Sequence, residues 1–293
     1  MHGRTSTLQL GSPRQQTLAA VWVLLLVALA AVKSVFEEHP VNLSATGTIP
    51  ALVELLGPGS SALAQHSAAR ELMDLAQEPH NQAKIAAAGA IPPLVQLLGR
   101  GSHADVQECA AGALTKLAHN HAKNVVTITA AGAVPPLVHL LGLGSPAGVQ
   151  EKAAAALENL ALNAEAAATI AAAGAVPPLV QLLGLDYPAE VQERAAGALM
   201  NLAESNAESA AAIAAAGAIP PLVTLLGPGH PAEVQEHAAG ALTTLAYNAE
   251  NAATMAASGA IPALKQLQRP GAPAFVRHTA TAALEVLGRQ KRA

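Results

Sequence analysis

Gly174-Ala175-Val176-Pro177-Pro178-Leu179 reads as a helix stop followed at once by a helix start. A glycine closes a helix by taking the left-handed conformation, and proline is at home in the first turn of the next one. The same text stands at Gly89-Ala90-Ile91-Pro92, Gly132-Ala133-Val134-Pro135, Gly217-Ala218-Ile219-Pro220 and Gly259-Ala260-Ile261-Pro262, with a weaker copy at Gly47-Thr48-Ile49-Pro50. Successive glycines lie 42, 43, 42, 43 and 42 residues apart. A fixed period of this length with helical text inside it denotes a stack of short helix sets, an α-solenoid that grows by neighbour contacts.

Outward from Gly174, the text of one period predicts three helices. A short one over Glu165 to Ala173 ends at the glycine, and a second begins at Pro177 and stops at Gly184. A longer third begins after Pro188, with Glu190 and Glu193 near its positive end. Leu179, Val180, Leu182 and Leu183 form the apolar stripe of the second helix; Val191, Ala195, Leu199 and Leu202 form that of the third. Asn163, Asn206 and Asn248 each stand eleven residues before a repeat glycine and are predicted N-caps of the short helices.

Three helices per period, a Pro-Pro start to the second and Ala-x-Ala-Leu-x-x-Leu-Ala text in the third resemble the armadillo-repeat family, over roughly residues 41–288. Within that family the chain resembles vacuole-inheritance-type and plant or protist armadillo scaffolds. The resemblance implies an all-α, right-handed α-solenoid of about six repeats, beginning near residues 41, 80, 122, 164, 207 and 249. The first repeat lacks a clear short helix and the last is degenerate, as end caps are. Domains are therefore expected at 1–40, an N-terminal signal or anchor segment, and 41–293, the solenoid.

The resemblance also implies that third helices line a concave groove, where import-adaptor relatives carry a Trp and, four residues on, an Asn. Alignment on Leu72, Leu114, Leu157, Leu199, Leu242 and Leu284 puts Arg70, Gly112, Ala155, Gly197, Gly240 and Ala282 at the Trp position. No tryptophan stands there, which argues against a nuclear-import adaptor. The Asn position holds Asp74, Lys116, Asn159, Asn201, Thr244 and Val286, so only Asn159 and Asn201 match. Asn lying off the leucine stripe would offer a partner's backbone both a donor and an acceptor. One turn further on lie His119 and Tyr247, the latter one of two tyrosines in the chain and a sensible anchor. The candidate partner-binding residues are thus Asn159, Asn201, Lys116, His119, Tyr247 and Thr244. Mid-helix glycines at 112, 197 and 240 either keep the groove floor open for a ligand or let helices pack closely; the text leaves both open.

With only 12% charged residues and a net charge of −4, the chain lacks the clustered Lys and Arg that a nucleic acid would need. No catalytic constellation, phosphate loop or metal spacing stands out, so neither an enzyme nor a cofactor is expected. His119-Asn120-His121 splays its rings to different sides of a helix. Cys109 is the single cysteine and, with polar equivalents in the other repeats, is expected to face solvent.

Residues 1–40 stand apart. Leu18–Val32 is an uncharged apolar run behind Arg4 and Arg14, with Ala28-Leu29-Ala30 as a cleavage pattern. Three readings stand: a signal peptide or membrane anchor, a capping helix for the first repeat, or a misassigned start site. Asn42-Leu43-Ser44 becomes a glycosylation acceptor under the first. The sequence as a whole points to a non-enzymatic scaffold that binds an extended peptide or helix of a protein partner, with membrane association through Leu18–Val32 under one reading. The alternative is a substrate-recruiting subunit of a ubiquitin-ligase or trafficking complex.

Overall fold

A computed structural model describes residues 48–290. The N-terminal apolar run and Asn42 lie outside the described residues. Within them the chain forms seventeen helices and no strand. The first repeat contributes α1 (Thr48–Leu55) and α2 (Ala62–Leu75). Four complete repeats follow: α3 (Pro79–Ala87), α4 (Ile91–Leu97) and α5 (Ala104–Ala118); α6 (Ala122–Ala130), α7 (Val134–Leu140) and α8 (Ala147–Ala161); α9 (Ala164–Ala172), α10 (Val176–Gln181) and α11 (Ala189–Ser205); α12 (Ala207–Ala215), α13 (Ile219–Leu225) and α14 (Ala232–Leu245). The sixth, degenerate in text, still forms all three helices: α15 (Ala249–Ala257), α16 (Ala260–Leu267) and α17 (Ala274–Gln290).

The elbow between first and second helices forms as its text predicts. Gly89, Gly132, Gly174, Gly217 and Gly259 all take φ between 76° and 82°, where a Cβ is strained. At Gly174 the amide donates to Ala171 O at 3.0 Å and the Ala175 amide to Ile170 O at 3.3 Å, which satisfies the last carbonyls of α9. Prolines occupy the first turn of α4, α7, α10 and α13. The chain therefore bends sharply, by 85° between α12 and α13.

Asn163, Asn206 and Asn248 cap the short helices as expected, their Oδ1 atoms accepting from Ala166 N at 3.0 Å, Ser209 N at 2.7 Å and Asn251 N at 3.0 Å. In the third repeat His121 Nδ1 does the same for Asn124 N. The first five repeats have a second fastening that the sequence reading missed. Gln65, Gln107, Gln150, Gln192 and Gln235, in the first turns of the third helices, donate through Nε2 to the carbonyls of Gly57, Gly99, Gly142, Gly184 and Gly227 at 2.7–3.0 Å. Those carbonyls lie just past the second helices and also accept the backbone amide three residues on, so each glutamine adds a second bond to the turn.

The third helices α2, α5, α8, α11, α14 and α17 stack on one another in order, and their mutual packing is the main contact along the solenoid. The core is aliphatic. Leu94, Leu137, Leu179, Leu222 and Leu264, one in each second helix after α1, are wholly buried, as are Leu72, Leu114, Leu157, Leu199 and Leu242 of the third helices. Among the described residues no single helix is long and apolar enough to cross a membrane.

Candidate partner-binding groove

The third-helix face is built by pairing large side chains with small ones. Met73 lies where a Cβ on Gly112 would come within 2.5 Å of its Sδ; Glu158 covers Gly197 in the same manner, and Met200 covers Gly240. The residue one place after the aligned leucine thus fits over the family's Trp position in the next repeat. Where the covering residue is Thr115 or Thr243, the position in register is Ala155 or Ala282. The mid-helix glycines therefore serve close helix packing, and the alternative of an open floor for a ligand does not hold.

The two matching asparagines are also engaged. Asn201 is buried and its Nδ2 donates to Glu158 O at 2.9 Å; Asn159 is half-buried and its Nδ2 donates to Thr115 O at 3.2 Å. Each amide spans from one third helix to the one before it. The expectation that donor and acceptor both stand free is corrected in part: in each, one of the two Nδ2 hydrogens is committed to the carbonyl one repeat back, which leaves the second hydrogen and Oδ1.

The remaining candidates fall into two places. Lys116, His119 and Asn159 converge on one groove of about 420 Å³ across α2, α5, α8 and α11, with Glu151, Lys152, Glu158 and Arg194. Thr244 and Tyr247 instead line a second groove farther along, beside Glu204. Asn201 lines neither of these two. His119 and His121 have different tasks, one at the groove and one as a cap, as their splayed spacing implies.

Charge in the first groove is arranged in short pairs. Lys152 meets Glu151 at 2.7 Å and Arg194 meets Glu193 at 2.7 Å. Glu158 is the hub: its carboxylate lies 3.2 Å from Arg194 and 3.8 Å from His237, so it links three successive third helices. Lys116 is exposed and, among the described residues, has no ion-pair partner; it lines the groove together with Asn159. The sequence reading did not single out Glu151, Lys152, Glu158 or Arg194. Their signal was the polar column aligned with Cys109 and the residue after each aligned leucine, neither of which the family's peptide-binding pattern highlights.

Cys109 itself is half-buried and packs against the core, which corrects the expectation of an exposed thiol. Burial first, and the Glu108 carboxylate second, raise its pKa above the ordinary 9.0.

Stacked three-helix repeats with a polar groove along the third helices define a solenoid scaffold. The sequence model for the armadillo/β-catenin-like repeat matches four times, at residues 78–119, 121–162, 163–204 and 206–247, and so over more than half of the chain. The chain belongs to the armadillo-repeat family. Solved structures agree. An engineered protein from a structural genomics consortium is 35% identical with a TM-score of 0.76, over 82% of this chain and 98% of its own. A designed armadillo repeat protein is 35% identical with a TM-score of 0.73, over 82% and 99%. Another, solved with the peptide (KR)4, is 35% identical with a TM-score of 0.71, over 82% and 99%. No curated protein sequence matches the chain.

Proposed function

We propose that this chain is a binding scaffold that holds an extended segment of a protein partner along its third helices, without chemistry of its own. The observation that carries this reading is the convergence of Lys116, His119 and Asn159, from two consecutive repeats, on one groove. Lys116 offers a charge for a partner carboxylate, and Asn159 Oδ1 offers an acceptor for a backbone amide. A designed relative that holds a peptide supports an extended ligand in the same kind of fold. Aromatic stacking has no part in it, since Gly or Ala fills the aligned positions from Gly112 to Ala282 and preceding side chains cover the glycines.

The test is retention of partners by the full chain beside a variant carrying Lys116→Ala, His119→Ala and Asn159→Ala, both checked for equal helicity. Partners held by the first and lost by the second support the groove. Equal retention removes the assignment. A recruiting role in a ubiquitin-ligase or trafficking assembly would use the same groove, with catalysis on another chain, and would show as co-purification of that enzyme. Residues Leu18–Val32 would then add secretion or membrane attachment.

A further inference from the structure

The first and last repeats carry opposite charge. From Gly259 onward stand six Lys and Arg residues and one acid, Glu285; between Gly47 and Glu78 stand four acids and one cation, Arg70. Each of these repeats also shows apolar surface that inner repeats cover. In the sixth, Ala252, Ile261 and Leu287 line an apolar cleft of about 190 Å³. Their equivalents Ala210, Ile219 and Leu245 line the groove that the fifth repeat makes with α15, so the cleft lies where a further repeat would stand. In the first, Leu63 is 75% exposed, whereas its equivalent Gly148 packs under Glu108 of the repeat before.

The inner seams state which positions meet across two third helices. The residue after the aligned leucine covers the position two before that leucine in the next repeat, as Met200 covers Gly240. The residue five after the leucine shares a groove with the residue two after it in the next repeat, as His119 does with Asn159 and Glu204 with Thr244. No inner seam pairs opposite charges at either place. Continued from α17 to the α2 of another copy, the same register brings Glu285 to Arg70 and Arg289 to Asp74. All four are exposed. Among the described residues neither Arg70 nor Asp74 has an ion-pair partner, and Glu285 and Arg289 approach each other only to 3.9 Å. Arg70 is too large for the close packing seen at Gly112, but a long exposed side chain can turn beside a carboxylate.

We propose that this chain associates head to tail with a second copy of itself, α17 of one against α2 of the next, through Glu285–Arg70 and Arg289–Asp74. Polar ends keep a repeat stack soluble, but that task sets no order of signs. Here the signs match at both places, and a slip of one turn would set Glu285 against Asp74 or Arg289 against Arg70. The opposite charge of the two end repeats draws copies together in that orientation. Because the contact joins two different surfaces, each added copy offers a new end, and growth does not stop at two. The contact is separate from the groove at Lys116 and does not depend on what that groove holds.

Sedimentation equilibrium of the full chain over a wide range of concentration is expected to show an average mass that rises past two copies and falls with added salt. Arg70→Glu and Glu285→Arg each lower the association constant about fivefold, as an exposed ion pair allows. An equimolar mixture of these two variants regains it, because every seam between them again joins opposite charges. Glu208→Arg, an equal change of charge on the exposed side of α12, leaves it unchanged. All variants are first matched for helicity. A single-chain mass at every concentration would overturn the proposal and leave the ends to a different partner. Indifference to both reversals, a mixture no better than its parts, or growth that stops at two copies would each overturn it as well.

Discussion

The thioether of Met200 fills the space that a side chain at Gly240 would occupy, so the fourth and fifth repeats meet as knob and hole. Thr115, in the place equivalent to Met200, stands in register with an alanine, Ala155. Knob size and hole size thus vary together along the stack.

Gly240→Ala gains up to about 1 kcal/mol of helix propensity. The collision with Met200 is expected to cancel that gain or reverse it. Met200→Thr together with Gly240→Ala copies the Thr115–Ala155 pair and is expected to be more stable than the two single changes sum to, by about 1 kcal/mol. Urea unfolding of the four proteins of the cycle measures this; strict additivity would mean that the two residues do not interact.

Asn201→Ala leaves the Glu158 carbonyl without its donor inside a buried contact. A loss of about 1–2 kcal/mol is expected, and a smaller one for Asn159→Ala at its half-buried site. Thermal melts rank the two. The reverse order would show that burial does not govern these bridges, and either loss must be separated from any effect on binding.

Gln192→Ala removes one of the two donors to the Gly184 carbonyl just past the second helix of the fourth repeat, and since Tyr187 N still donates to it the expected cost is at most about 1 kcal/mol. Gln192→Glu removes the donor and sets a carboxylate against a carbonyl, so it should cost more. Chemical denaturation distinguishes this from a solvated glutamine, for which both variants would be silent.

Cys109 ties stability to alkaline pH. Its folded pKa is raised, so the folded chain holds the thiol proton more tightly than the unfolded chain does. Stability from this group is full below 9.0 and declines as pH rises from there through the folded value. Unfolding midpoints below and above 9.0 should fall more steeply for the native chain than for Cys109→Ala. Parallel slopes would place the thiol in water.

The repeat, its elbows and its caps were legible because local chemistry dictates them. Gly174 must reach positive φ, Pro177 can only open a helix, and Asn163 has one amide in reach. The groove was legible only in part. Lys116, His119 and Asn159 came together because their columns follow helical spacing. The engagement of Asn201 and the cover over Gly197 depend on a neighbouring helix 43 and 39 residues back, whose approach distance no local pattern states. Helix limits shifted by a residue or more for the same reason: α9 runs Ala164–Ala172 where the text suggested Glu165 to Ala173.

Matched knobs and holes also bear on how such a chain can gain or lose units through unequal recombination. Excision of the third repeat would set Thr115 against Gly197 and leave a void, whereas excision of the fifth would drive Met200 into Ala282. Loss of the fourth sets Glu158 against Gly240, which repeats a pairing already present at Gly197. The second and fifth repeats, each with a glycine hole and a threonine knob, are interchangeable at this seam. The packing at this seam therefore limits which orders of units fit together, apart from what any one of them binds.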